Sequence, residues 1–238
     1  MAEWIYGKNV VKQSIEEGRV LKLILQRKDD LLFNLAQKKR IPVEILDRNR
    51  MASLVKNNHH QGVIAQIQDY PSYSVDEIVA SIPKERKGLL VMLDGIVDPH
   101  NLGAILRTCD AVGADGVIFK KDRAVGLNAT VAKVSVGAIQ TVKCASVTNL
   151  SQTIEVLKKK GYWIVGTAMN GSDYRSLQYD FPTVLVIGNE GKGISPLVMK
   201  HCDYQIHLPM VGKISSLNAS VSAGILLYEI HNKRFPLF

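Results

Sequence analysis

Four short apolar runs in the later part of the chain, at 88–93, 162–167, 181–187 and 204–208, each give way at once to glycine and polar residues. Their Val, Ile and Leu content and their length are those of buried strands. After the first of them, 102–112 carries apolar residues at helical spacing, with Pro99 just inside the start and Asp98 or Asn101 placed to cap it. A last helix is predicted over 219–230, where small residues permit close packing and Ser215, Ser216 or Asn218 suits the N-cap. The earlier part reads as a helix over 5–15, a strand over 20–25, a helix over 30–39, a strand over 42–46, a helix over 49–55 and a strand over 62–67. The fold class is therefore α/β, in two modules: residues 1–69, and residues 89–238 with a parallel sheet. Residues 70–88 read as a linker, turn-rich at Tyr70-Pro-Ser-Tyr-Ser-Val and charged and proline-bearing at Ile82-Pro-Lys-Glu-Arg-Lys-Gly88. At 238 residues the chain is comfortable for two cores.

Three polar clusters stand where strands are predicted to end, which is where open α/β sheets hold ligands. The first runs from Asp98-Pro-His-Asn-Leu-Gly103 to Arg107, the second is Gly188-Asn-Glu-Gly-Lys-Gly-Ile-Ser195, and the third is LPMVGKISSLNASVS over 208–222. The second offers bare backbone to a ligand, yet it lacks the spacing that a nucleotide-triphosphate loop needs before Gly-Lys-[Ser/Thr]. Taken alone, its lesser alternative is a glycine-rich helix entry that holds nothing. Asn101 is equally a helix cap, while for Arg107 the alternative, a surface salt bridge, is the weaker one because Ile105 and Leu106 beside it read as buried. Helical spacing lets both Asn101 and Arg107 face the strand ends.

In combination and order, the clusters resemble the three signature motifs of the SpoU branch of the SPOUT RNA methyltransferases, also called the TrmH family. They match as Asp98-Pro-x-Asn101-x-Gly103-x3-Arg107-Thr108, as Gly188-Asn-Glu190-x-x-Gly193, and as Pro209-Met to Ser216-Leu-Asn218-x-Ser220-x-Ser222. The resemblance covers 89–235. It implies a C-terminal segment threaded into a deep trefoil knot, a homodimer, and S-adenosyl-L-methionine as cofactor, held by Thr167, Gly188, Leu208 and Leu217. It also implies methyl transfer to an RNA ribose 2'-hydroxyl, with Arg107, Asn101, Glu190, Ser216 and Asn218 as the catalytic set. A guanidinium keeps its proton in proteins, so Arg107 is read as a phosphate clamp and electrostatic aid rather than as the base. Asn101 is expected to orient substrate or Arg107, Glu190 to anchor the loop or the arginine, and Ser216 and Asn218 to shape the pocket.

The N-terminal module resembles the ribosomal-protein-like substrate-binding domain of the same family. With the opening Tyr6-Gly-Lys-Asn-Val-Val, the resemblance is to bacterial RlmB-type enzymes, which implies methylation of a guanosine in the peptidyl-transferase region of 23S rRNA, free or in a precursor ribosomal particle. A tRNA guanosine 2'-O-methyltransferase and a non-catalytic RNA-binding ribosome assembly factor are the competing expectations.

Charge agrees with an RNA partner: 30 Lys and Arg against 22 Asp and Glu leave a formal +8. Over 1–69 the count is 12 against 8, so the excess is shared by both modules. Lys8, Lys12, Arg27, Lys38, Lys39 and Arg40 are candidate phosphate contacts, although each taken singly reads first as a solvated surface charge. Asn57-Asn-His-His-Gln-Gly62 reads as an RNA-contacting loop and not as a metal site, since adjacent histidines on a strand point apart and no carboxylate or cysteine stands at ligand spacing. Neither a metal nor a DNA partner is expected. Cys109, Cys144 and Cys202 are odd in number and far apart, which suits a reducing cytoplasm. No apolar stretch is long enough to span a membrane, and Met-Ala-Glu-Trp lacks the features of a signal peptide.

Overall fold

Period-two alternation in the N-terminal strands serves both faces of one sheet. The computed structural model describes residues 3–55, 57, 59–213 and 216–236, and the chain divides into two units, Met1–Tyr70 and Pro71–Phe238. The first unit contains Glu3–Tyr6 (β1), Lys8–Glu16 (α1), Val20–Leu25 (β2), Asp30–Lys38 (α2), Val43–Ile45 (β3), Arg48–Val55 (α3) and Val63–Ile67 (β4), with strand order β1-β4-β2-β3. Leu23, Leu25, Val63, Ala65 and Ile67 meet Val11 and Ile15 of α1 and Leu32 and Ala36 of α2, whereas Ile24 and Ile64 turn to Met51 of α3.

One element departs from expectation. The helix predicted over 5–15 begins only at Lys8, because Ile5 and Tyr6 pair antiparallel with Ala65 and Ile64. Gly7 makes the break at φ 95°, a backbone state that a side chain resists. The unit closes on a buried cation: the Arg19 guanidinium lies 3.3 Å from the centroid of the Tyr70 ring and donates from Nη2 to the Gln68 carbonyl at 2.8 Å. Burial there pushes the Tyr70 phenol up to about 12.

The second unit comprises Val75–Ala80 (α4), Leu89–Asp94 (β5), Pro99–Val112 (α5), Gly116–Lys120 (β6), Ala129–Ser135 (α6), Ala138–Thr141 (α7), Cys144–Val147 (β7), Leu150–Lys159 (α8), Trp163–Asp173 (β8), Thr183–Gly188 (β9), Pro196–Met199 (α9), Tyr204–His207 (β10) and Ala219–Arg234 (α10). Its six strands are all parallel, in the order β10-β8-β9-β5-β6-β7. Leu90, Met92, Ile118, Ile164, Val184 and Val186 pack on one face against α8, α9 and Ile78 of α4. On the other face α5 and α10 pack against each other, α5 also against β6, α6 and α7, and α10 against β9. Both faces are covered, which is why the strands read as unbroken apolar runs.

Within 70–88, residues 75–80 fold as α4. Ser74 and Glu77 form a reciprocal capping box, and Ile78 is buried in the second core. A six-residue helix carries too little periodicity to announce itself between turn-rich and charged flanks. The strand expected over 162–167 runs on to Asp173. Its pairing with β10 shifts from Gly166 opposite Gln205 to Ser172 opposite Ile206, so 167–171 bulge from the ladder.

The end of α10 is tied to the start of the sheet by Arg234. Its guanidinium donates to the carbonyls of Tyr179 (3.1 Å), Lys87 (2.8 Å) and Phe181 (2.7 Å) and to Thr183 Oγ1 (2.9 Å). Arg234→Met strands these acceptors and is expected to cost about 3 kcal/mol in urea unfolding. Arg234→Lys should recover only part of it, since an ammonium cannot fork to acceptors spread in a plane.

Candidate functional site

Because all strands of the second sheet run the same way, their C-terminal ends share one edge. From β5 the chain moves outward to β6 and β7, then returns on the opposite side through β8 and β9. The strand order therefore switches between β5 and β9, where such sheets open a crevice. Asp94 and Gly188, the last residues of these two strands, pair across the ladder. The first and second polar clusters thus leave from adjacent strands, and the third leaves from β10.

A run of side-chain hydrogen bonds joins all three clusters. Asn101, buried in the first turn of α5, donates through Nδ2 to Glu190 Oε1 and accepts at Oδ1 from Asn218 Nδ2 at 2.9 Å. An amide donates and accepts at once, so one side chain satisfies a carboxylate on one side and an amide on the other. Asn101 is free for this because Asp98 is the cap, its Oδ1 accepting from the His100 N–H at 2.9 Å. Asn218 in turn caps α10: its Oδ1 accepts from the N–H groups of Ser220 (2.9 Å) and Val221 (3.3 Å) and from the Ser220 hydroxyl (2.6 Å).

The loop that carries Glu190 is built on two residues given no role in the sequence reading. Asn189 Oδ1 accepts from the N–H groups of Gly191 (3.0 Å) and Lys192 (3.3 Å), while its Nδ2 donates to the Gly95 carbonyl (3.0 Å). Asp94 closes β5, and its Oδ2 accepts from the Ser195 N–H at 2.8 Å. A carboxylate ending an apolar strand opposite a glycine-rich loop was the available signal. At Gly188 a Cβ would lie 2.2 Å from the Gly193 carbonyl carbon and 2.3 Å from the Ile194 nitrogen, so only glycine lets the loop fold back on its strand.

The other expected site residues lie around this cluster. Arg107 is exposed on α5 and, among the described residues, makes neither a hydrogen bond nor an ion pair. Among the described residues no salt bridge of the kind considered for it forms, and Glu190 is anchored to Asn101. Thr167 opens the β8 bulge, its Oγ1 3.5 Å from the Val186 carbonyl. Leu208 follows β10 and Leu217 precedes Asn218, both half-buried, and Ser216 is exposed. Ser215, the other cap considered for α10, lies outside the described residues.

A parallel α/β unit with three polar clusters joined at its switch point, and a smaller α/β unit in the same chain, give a two-part plan. Residues 88–228 match the SpoU rRNA Methylase family, and residues 4–73 match the RNA 2'-O ribose methyltransferase substrate binding family. The chain belongs to the SpoU methylase family. It is 42% identical over 243 residues to the putative TrmH family tRNA/rRNA methyltransferase YacO of Bacillus subtilis (strain 168), covering 99% of this chain and 97% of that protein. Among solved structures, the SpoU methyltransferase AviRb from Streptomyces viridochromogenes, in complex with AdoMet, superposes with a TM-score of 0.69 at 25% identity, over 98% of this chain and 90% of that one. The A. aeolicus TrmH/SpoU tRNA modifying enzyme superposes at 0.58 with 36% identity, over 63% of this chain and 76% of that one. The protein is an S-adenosylmethionine-dependent RNA 2'-O-methyltransferase. No helix among the described residues is long and apolar enough to cross a membrane.

Asn101→Ala leaves the Glu190 carboxylate and the Asn218 amide without their shared partner. It is expected to lower stability by about 2 kcal/mol in denaturant unfolding. An unchanged unfolding midpoint would show that the three-cluster contact contributes nothing to the fold.

Proposed function

We propose that the enzyme methylates the ribose of a guanosine in the peptidyl-transferase region of 23S rRNA, as a cytoplasmic homodimer. The observation that carries the site assignment is an exposed Arg107, unpaired among the described residues, on the helix whose first turn holds the Glu190–Asn101–Asn218 cluster. The substrate rests on the N-terminal module and the opening Tyr6-Gly-Lys-Asn-Val-Val. A tRNA substrate is the second reading, favoured by the 36% identity to the A. aeolicus tRNA modifying enzyme.

The strand ends suit the cofactor. Bare backbone at Gly188, the Thr167 hydroxyl and the half-buried Leu208 and Leu217 combine edge-reading amides with apolar surface for a flat purine. S-adenosylmethionine, when bound there, supplies the methyl group of a sulfonium. Arg107 stays charged throughout, so it clamps the substrate phosphate and stabilises the charge that builds on the 2'-oxygen as its proton leaves. Asn101, Glu190 and Asn218 already engage one another, so they act as positioning residues that keep the three loops in place. Ser216, exposed ahead of α10, shapes the pocket wall. The knotted threading belongs to the same reading, supported by β9 inserted between β5 and β8 and β10 laid outside β8.

In the N-terminal unit Lys8 is held by Asp29 at 2.8 Å and Lys12 faces Glu16 at 3.9 Å. Arg27, Lys38, Lys39 and Arg40 are exposed and carry no ion pair among the described residues, so they are the better phosphate contacts. Asn57 donates from Nδ2 to the exposed Tyr6 hydroxyl at 2.8 Å, which orders one end of the loop proposed to touch RNA. Cytoplasmic residence is supported by three free thiols, of which Cys144 is pushed up to about 12 by burial.

Dimerisation is supported by α10. Its buried side holds Ala223, Leu226, Leu227 and Ile230, yet Val221, Ile225 and Tyr228 remain 49%, 37% and 50% exposed in one stripe. Ile225→Asp is expected to sediment as a monomer and to lose methyl transfer. A dimer that survives the charge would place the interface elsewhere.

Transfer of labelled methyl groups to separate pools of 23S rRNA, 16S rRNA and tRNA tests the reaction. Label is expected as 2'-O-methylguanosine in 23S rRNA, with kcat/KM about 100-fold lower in Arg107→Ala. Label in tRNA would replace the substrate with the second reading, and label in no pool would sink both.

A further inference from the structure

Helix geometry places Gly103, Arg107 and Asp110 on one face of α5. That face is turned towards α6 and α7. A Cβ on Gly103 would lie 2.6 Å from Val134 Cβ and 3.1 Å from the Val131 carbonyl oxygen, and Asp110 Oδ1 accepts from Thr141 Oγ1 at 2.6 Å. Arg107 falls between these two contacts. The elbow that joins α6 to α7, Val136 and Gly137, is therefore the part of the fold beside it.

Val136 is in the left-handed region at φ 51° and ψ 41°, and the residue is 71% exposed. A β-branched residue resists that backbone state, and here burial does not compensate for it. The elbow is held from below: the buried Ser135 hydroxyl donates to the Ala132 carbonyl (3.1 Å) and accepts from the Ile139 N–H (3.3 Å), and Ala138 and Ile139 are buried. Joining two helices does not require an exposed, strained valine. Glycine makes such a bend freely, as Gly137 does next to it at φ 96°.

The segment leading into the elbow carries an excess of cations. Lys121, Arg123 and Lys133 are exposed and have no ion pair among the described residues, against one exposed carboxylate, Asp122. The Val125 N–H donates to the Ile96 carbonyl at 2.9 Å, which ties this segment to the loop that leaves β5 for the first cluster. The chain between the strand edge and the elbow thus presents three cations against one carboxylate. A polyanion suits it better than a second copy of a chain whose own charge is +8.

We propose that the α6–α7 elbow is the wall against which the target nucleotide lies. Val136 packs on the sugar and base face of the nucleotide that offers its 2'-hydroxyl to Arg107, and Lys121, Arg123 and Lys133 hold the neighbouring phosphates. Contact of this kind positions without reading sequence, because every nucleotide presents an apolar base face and a phosphate on each side. The proposal rests on the assignment of Arg107 to the reacting ribose.

The test uses the full chain and measures affinity for 23S rRNA and tRNA transcripts by filter retention, cofactor affinity by calorimetry, Tm, and mass by sedimentation. Val136→Gly is expected to hold or raise Tm, to leave cofactor affinity unchanged, and to weaken RNA binding about tenfold, the worth of one lost apolar side-chain contact. The combined Lys121→Gln, Arg123→Gln and Lys133→Gln variant should weaken RNA binding more and flatten its salt dependence by about three ions. Wild-type RNA affinity in Val136→Gly, with Arg107→Ala inactive, would overturn the elbow and leave the Arg107 assignment standing. Elbow variants that lose RNA affinity while Arg107→Ala keeps full kcat would fail that assignment, and with it the placement of Val136 at the reacting nucleotide. A Val136→Asp variant that turns monomeric without losing RNA affinity would make the elbow an interface between copies instead.

Discussion

A single buried amide holds together segments that lie 89 and 117 residues from it along the chain. Asn101 reaches Glu190 on one side and Asn218 on the other, and Asn218 in turn starts the helix α10 that packs on α5. Few side chains could do this: a carboxylate would oppose Glu190, a hydroxyl is too short to reach both ways, and an apolar group could bond neither partner. The rest of the site depends on that contact, because it brings the loop after β9 and the entry to α10 to the first turn of the helix that carries Arg107. Parallel strands supply the common edge, and the amide joins what emerges from it.

The cations of this chain divide by the way their hydrogen-bonding capacity is used. Arg234 and Arg19 are folded into the protein, the first saturated by carbonyls at the far end of the sheet and the second stacked on Tyr70. Their work is structural. Arg107, Lys121, Arg123 and Lys133 are exposed and hold nothing within the described residues, so their charge remains available to a phosphodiester chain. A count of basic residues cannot separate these groups, although they have opposite consequences for function. The glycines divide in a similar way: Gly7 is needed for its backbone angle, and Gly188 because another stretch of backbone passes too close for a side chain.

Much of the fold was legible in the order of residues. The apolar runs that become β5 and β9 announced themselves because a strand buried on both faces needs nearly every position apolar. The helix α10 showed itself by its capping residues and small side chains. The opening strand β1 was not legible, since Trp4, Ile5 and Tyr6 fit a helix locally and become a strand only by pairing with β4. The bulge in β8 was hidden for the same reason, being set by β10 some forty residues away. In the site, Asn101, Glu190 and Asn218 could be picked out as motif residues. That they touch, that Asp94 and Asn189 brace the loop, and that Val136 stands strained beside the helix face of Arg107 could not.

The sequence by itself determined the class of fold, the two-module plan, the family and the residue types available for chemistry, because hydrophobic period, capping and motif spacing are properties of neighbours along the chain. Only the tertiary structure decided the strand order, the partners of Asn101, which cations are left unpaired and where the elbow falls. Those depend on contacts between residues far apart in sequence, and such contacts are selected by the packing of the whole domain rather than by the preference of any one segment.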